Sequence, residues 1–325
     1  VGAGPDARYG AIIPALLFFF FQLKFAAITP ALIIGAFAER VKFSSLLAFV
    51  VLWATGIYAP VAHWVWGDGG WLRSLGTLDF AGGTVVHILA GFSALAAAIV
   101  IGPRKTNGDP ARPNNVPFVI LGAALLWFGW FGFNGGSALA ANGVAVNALV
   151  VTNIAAASAA LGWMVVDWFV KGKPTATGVA IGAVCGLVAI TPASGFVAPQ
   201  ASMTIGLIAG LASNVVSNWR LERTKLDDTL DVFACHGVSG VWGALATGVF
   251  ATVAVNPGGA NGLLFGNAHL LAVQGLAVLA SAGFAFFGSL LLLKLVDATV
   301  GLRVPEHVEE QGLDLAIHGE PAYGD

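Results

Sequence analysis

The stretch LLAFVVLWATGIYAPVA (46–62) runs for seventeen residues without a charge and without alternation of apolar and polar side chains. A membrane β-strand alternates with a period of two, so this run excludes a barrel and reads as a helix crossing lipid. Extending the same test outward finds nine apolar stretches long enough to span, at 12–38, 44–66, 81–102, 117–139, 144–169, 176–193, 201–218, 235–254 and 270–296. Composition agrees. Charged residues make up 10% of the 325-residue chain and hydrophobic residues 57%, against roughly 25% charge in soluble domains. Such a chain cannot clothe itself in a solvated surface, and it is far too apolar to be disordered. A net charge of -2 without any Lys/Arg cluster excludes nucleic acid as a partner. The fold class expected is therefore an all-α, polytopic membrane bundle.

Small residues fill the runs, as in AGFSALAAA (90–98) and GLIAGLAS (206–213), and their ordinary role is close helix–helix packing. Cys185 and Cys235 show neither metal-ligand spacing nor a disulfide framework. The first eleven residues carry no basic start and no cleavage pattern, so no signal peptide is read there.

Charge asymmetry orients the bundle. Arg40 and Lys42, then Arg104, Lys105 and Arg112, then Lys171 and Lys173, then Arg220, Arg223 and Lys225 occupy alternate loops, and Arg303 follows the last span. The intervening connections at 140–143, 194–200 and 255–269 contain no Lys or Arg, and 67–80 contains only Arg73. The positive-inside rule puts the basic loops and the C-terminus in the cytoplasm and residue 1 outside. Residues 1–300 read as the transmembrane domain, N-terminally incomplete, and 301–325 as an acidic cytoplasmic tail.

Ionisable groups at bilayer depth cost roughly 2.5–3.5 kcal/mol each on insertion scales, so each needs an account. His87 lies two turns into its span and His236 at the start of another. A lone intramembrane histidine usually links helices; two of them suit a shared path. Each follows a carboxylate at the mouth of its helix, Asp79 by eight residues and Asp231 by five. Asp231 reads as an N-cap, whereas Asp79, on the outer side, also favours an incoming cation. The arrangement recurs in helices of opposite direction, as in inverted-repeat transporters. Trp66, Phe25 and Phe133 lie toward the outer side, and aromatic faces beside Ser137 suit a small cation, worth up to ~2 kcal/mol when desolvated. Trp64 and Trp71 read as interface anchors, His63 and His269 as structural, and Pro30 as a kink. Lys24 sits in mid-span without an evident partner.

At FQLKFAAITPALIIGAFAER (21–40), DFAGGTVVHILAG (79–91), WFGFNGGSALAAN (130–142), DVFACHGVSG (231–240) and GLRVPEHVEEQGLDLAIHGE (301–320) the sequence resembles the ammonium transporter (Amt/Mep/Rh) family, in its bacterial Amt branch. The resemblance implies eleven helices, of which nine are visible here, with an outside N-terminus. It also implies a homotrimer in the inner (plasma) membrane with one narrow apolar pore per subunit. Trp66, Phe25 and Ser137 would form the outer recruitment site for ammonium, supported by Asp79. Phe25 and Phe133 would be a stacked gate, and His87 and His236 the paired pore histidines. Trp130 would flank the pore, with Thr191 of the TPA stretch close by. Ammonia, separated from its proton, would pass. No cofactor, metal or enzymatic activity is implied, and the tail resembles the segment that meets PII-type signalling proteins. Lys24 has no place in the shared pattern.

GVSG (237–240) with His269 suggests an intramembrane serine protease, for which small-residue packing is the ordinary explanation. An ammonium sensor with weak conduction would ordinarily carry an appended signalling domain. A non-selective cation channel would display carboxylate or carbonyl rings.

Overall fold

The computed structural model describes residues 4–105 and 113–323; Arg112 of the second basic loop lies outside them. A short antiparallel hairpin, β1 (Pro5–Asp6) and β2 (Gly10–Pro14), precedes the first helix. The long helices are α1 (Ala15–Ile34), α2 (43–66), α3 (Gly83–Ile101), α4 (Val116–Gly135), α5 (Gly143–Lys171), α6 (Ala176–Ile190), α7 (Pro199–Arg223), α8 (Phe233–Phe250) and α9 (Ala268–Thr299). All nine apolar stretches are helical. Seven helices among the described residues are long and apolar enough to cross a membrane. The other two differ for physical reasons. α6 has only 15 residues, about 22 Å at 1.5 Å per residue, and α7 buries a polar stripe of Ser202, Ser213, Asn214 and Ser217.

The first span begins at Ala15 rather than 12, because Gly10–Pro14 pairs as a strand instead. Local chemistry sets other boundaries. Asn115, Asn142 and Thr175 cap α4, α5 and α6 by accepting the N–H groups of Phe118, Ala145 and Gly178. Gly172, at φ 76°, ends α5 in the left-handed conformation.

Glycine sets the closeness of the α5–α6–α7 packing. A Cβ on Gly206 or Gly210 would lie 2.2 or 2.1 Å from the carbonyl oxygens of Ala155 or Ala159, and one on Gly186 would lie 2.3 Å from that of Ala155. Contacts that close exist only between bare backbones. Polar links reinforce apolar packing elsewhere: the Trp53 indole N–H donates to Ser93 Oγ at 2.9 Å and Ser289 Oγ at 3.1 Å, joining α2, α3 and α9.

One end of the bundle carries the described basic loops and the tail. Arg40 is fully buried there and donates to the carbonyls of Ala36, Ala38, Gly102 and Asp227 and to Thr229 Oγ1. Arg104 forks onto Asp227, with bonds of 2.9 and 3.0 Å. The tail is strapped to the same end: Val304 N–H donates to Arg40 O, Arg303 pairs with Glu309, and the Lys105 N–H donates to Glu309.

Candidate functional site

The site starts from a tight turn. Gly82, at φ 112°, bends the chain into α3 in a conformation that excludes a side chain. The bend lets the Asp79 carboxylate accept four successive N–H groups, from Gly82 (2.8 Å), Gly83 (2.7 Å), Thr84 (2.8 Å) and Val85 (3.2 Å). Burial pushes this carboxyl up, and the four N–H bonds offset only part of that rise. The Asp79 carbonyl accepts the Trp66 indole N–H at 2.8 Å and so fixes that ring.

Trp66 meets Phe25 edge-on, with centroids 5.6 Å apart. Both line a cavity of about 490 Å³ together with Asp79 and Ser137. The Ser137 hydroxyl donates to Phe133 O at 2.8 Å, which leaves its lone pairs to the cavity. Phe25 and Phe133 touch at 4.8 Å between centroids. They are tilted by 56°, not stacked as expected, because Phe25 is also held edge-on by Phe21 and Trp66.

Beyond this contact lies an apolar cavity of about 450 Å³, lined by Phe133, Trp130, His87 and His236. Phe133, Trp130 and His87 form a ring stack, with His87 at 5.4 Å and 16° from Trp130. Trp130 is anchored by its indole N–H to Thr191 Oγ1 at 2.9 Å. The histidines meet Nδ1 to Nδ1 at 3.1 Å, both buried. One nitrogen must donate and the other accept, so the pair shares one proton between them. His236 also lines a third cavity, of about 350 Å³, at the basic end. The order is therefore an aromatic cup, a phenylalanine contact, an apolar chamber, an imidazole pair and an exit.

The two histidines meet because their helices cross backbone to backbone: a Cβ on Gly91 would lie 2.2 Å from Gly237 N. Both also stand in π-helical turns, Gly83–Ile88 and Phe233–Val238, a feature frequent at functional sites.

One reading needs correction. Asp231 has its backbone in the left-handed region at φ 55°, and its carboxylate accepts from Ser217 and Arg220 instead of capping α8. The capping carboxylate is Asp228, buried, which accepts the N–H groups of Val232 (3.0 Å) and Phe233 (2.7 Å). Asp228 precedes His236 by eight residues, the same interval that separates Asp79 from His87. That equality was the signal available in LDDTLDVFACHG (226–237).

Burial raises the Asp228 carboxyl from 3.8 to about 6, with Asp231 adding to the rise. The folded chain then holds this proton more tightly than the unfolded one, so stability from this group declines as pH climbs from about 4 to about 6. Asp228→Asn is expected to remove that slope, worth about 2–3 kcal/mol, from thermal midpoints measured across the same window. An unchanged profile would contradict the assignment.

Ser239 offers no nucleophile. Its buried hydroxyl bonds Ser213 Oγ at 2.8 Å as a helix–helix link, and His269 is exposed at the start of α9. Among the described residues no three His, Cys, Asp or Glu side chains gather as a metal cluster.

Comparison with known proteins bears on this geometry. The model of the Ammonium Transporter Family matches residues 5–323. The chain belongs to the ammonium transporter family. It is 50% identical over 329 residues to an ammonium transporter of Bacillus subtilis, covering 100% of this chain and 80% of that one. It is 52% identical to ammonium transporter Amt1 of Archaeoglobus fulgidus, covering 95% and 78%. The fold is similar to Candida albicans Mep2 at a TM-score of 0.86 and 37% identity, covering 91% of this chain and 67% of that chain. A structure titled sensor Amt protein is similar at 0.84 and 35%, covering 94% and 77%. The family is one of multi-pass membrane transporters, not enzymes.

Proposed function

We propose that this ammonium transporter recruits ammonium at the aromatic cup, transfers its proton to the imidazole pair of His87 and His236, and passes ammonia through the chamber, the proton leaving His236 for the cavity at the basic end. A cation at the cup gains the faces of Trp66 and Phe25 and a hydroxyl acceptor at Ser137. Buried Asp79 adds negative potential there, and its carbonyl fixes Trp66. The Phe25–Phe133 contact then closes the way to anything hydrated. Among the described residues a bare cation in the chamber would find no carboxylate, only Lys24 and two imidazoles that share one proton, whereas ammonia needs only a donor and an acceptor. Trp130, held by Thr191, gives the chamber its rigid wall. The single observation that carries this reading is the 3.1 Å contact of His87 and His236 at a chamber lined mostly by apolar side chains.

Family resemblance and charge distribution support further features of the protein. Residues 1–300 form the transport domain, the basic loops and the tail 301–325 face the cytoplasm, and the membrane is the inner (plasma) membrane. The protein works as a homotrimer, and its tail meets a PII-type signalling protein.

Purified protein in liposomes is expected to pass ammonium-evoked current under an inward gradient, with none evoked by potassium. Equal currents from both ions would contradict the reading. Ammonia flux without current would replace charge-coupled transport by a neutral pore, and neither flux nor current would favour a sensor.

A further inference from the structure

Lys24 is the one charged residue of α1, and the proposed path leaves it without a role. Its side chain, exposed on the face of α1 that also carries Phe20 and Leu23, contributes to the lining of the apolar chamber of about 450 Å³ with both histidines. It also lines a smaller cavity of about 240 Å³ beside the Phe25–Phe133 contact. Among the described residues it is the only Lys, Arg, Asp or Glu on the walls of either. Among the described residues it forms no ion pair. Instead its ammonium group stands 4.2 Å from the centroid of Phe20, on the turn before it. The ring's negative face attracts a cation at that position.

We propose that Lys24 is a selectivity residue, a fixed positive charge that repels cations crossing the phenylalanine contact and leaves neutral ammonia unaffected. The inference rests on the pore reading above. Its physical basis is asymmetry between the two forms of the substrate. Ammonia carries no net charge and passes a fixed ammonium at little cost. Potassium or undissociated ammonium meets like-charge repulsion across apolar walls, where salt screens poorly. At an effective dielectric of about 20, a unit charge roughly 10 Å away slows a cation on the order of tenfold. The recruitment cup is less affected, because Trp66, Ser137 and Asp79 line a different cavity, one that does not include Lys24.

The test measures potassium and ammonium currents for Lys24→Met, Lys24→Gln and Lys24→Arg in liposomes, beside His87→Ala as a control for the pore itself. The neutral variants are expected to raise potassium current relative to ammonium current on the order of tenfold, with Lys24→Arg keeping the parent ratio. Parent selectivity in both neutral variants would overturn the inference. So would an equal leak through Lys24→Arg, or loss of ammonium flux in all three variants, since the side chain would then serve packing. If His87→Ala alters selectivity while the Lys24 variants do not, only this inference fails. If His87→Ala is also silent, the pore reading fails with it.

Discussion

Replacing Gly91 by alanine is expected to leave little folded transporter, and replacing it by leucine none. The added Cβ would sit 2.2 Å from Gly237 N and 2.3 Å from Gly237 Cα, with the His236 carbonyl carbon at 3.0 Å. These are backbone atoms, so no rotamer change relieves the clash, and the helices bearing His87 and His236 must separate. Overpacking of a core commonly costs 1–3 kcal/mol, and a backbone-to-backbone clash belongs at or beyond the upper end, about 3 kcal/mol or more. The measurement is thermal unfolding in detergent alongside the monodisperse fraction. Gly122→Ala and Gly275→Ala are the controls, since a Cβ at either position meets nothing within 4 Å. A Gly91→Ala protein melting with those controls would show that the crossing is looser than described.

The second large effect is expected at Asp79. Removing the carboxylate with Asp79→Ala leaves four N–H groups at the start of α3 without their acceptors. A buried donor without a partner costs about 1–3 kcal/mol. Water reaching from the adjoining cavity recovers part of the sum, so a net loss of about 3 kcal/mol is expected. Transport should fall more than stability does, because the same turn holds Trp66 at the proposed cup. Asp79→Asn keeps one acceptor oxygen but turns an amide N–H₂ toward amide donors, so it should lie between alanine and the parent. Ammonium uptake and melting temperature, measured on both variants, separate the two roles. Parent-like uptake in Asp79→Ala would remove Asp79 from the proposed site.

Much of the architecture was legible because lipid leaves a helix few alternatives. Uncharged runs such as 46–62 had to be helices, and every run so read is one. The boundaries were less legible, because an apolar pentapeptide such as Gly10–Pro14 reads the same whether it pairs as a strand or opens a helix. The residues of the cup and chamber were legible through type and position: Trp66, Phe25, Ser137 and Asp79 line one cavity, and His87 and His236 another. What joins them was not. The capping acid of α8 is Asp228 rather than the nearer Asp231, because the chain reverses at Asp231 and carries that side chain toward Arg220. The burial of Arg40 was equally hidden, since its partners Gly102, Asp227 and Thr229 are 62, 187 and 189 residues away. Glycine's roles split in the same way. Their number announced close packing, but only coordinates distinguish Gly91, where two backbones touch, from Gly122, which faces open space.

The central claim is that the imidazole pair governs what crosses the chamber. Ion-selective current from His87→Ala and His236→Ala proteins in liposomes tests it most directly, with ammonium and potassium gradients applied in turn. Each variant is expected to shift the ratio of ammonium to potassium current by about tenfold or more, equivalent to ~1.4 kcal/mol in relative barrier height. Parent uptake together with parent selectivity in both variants would contradict the account.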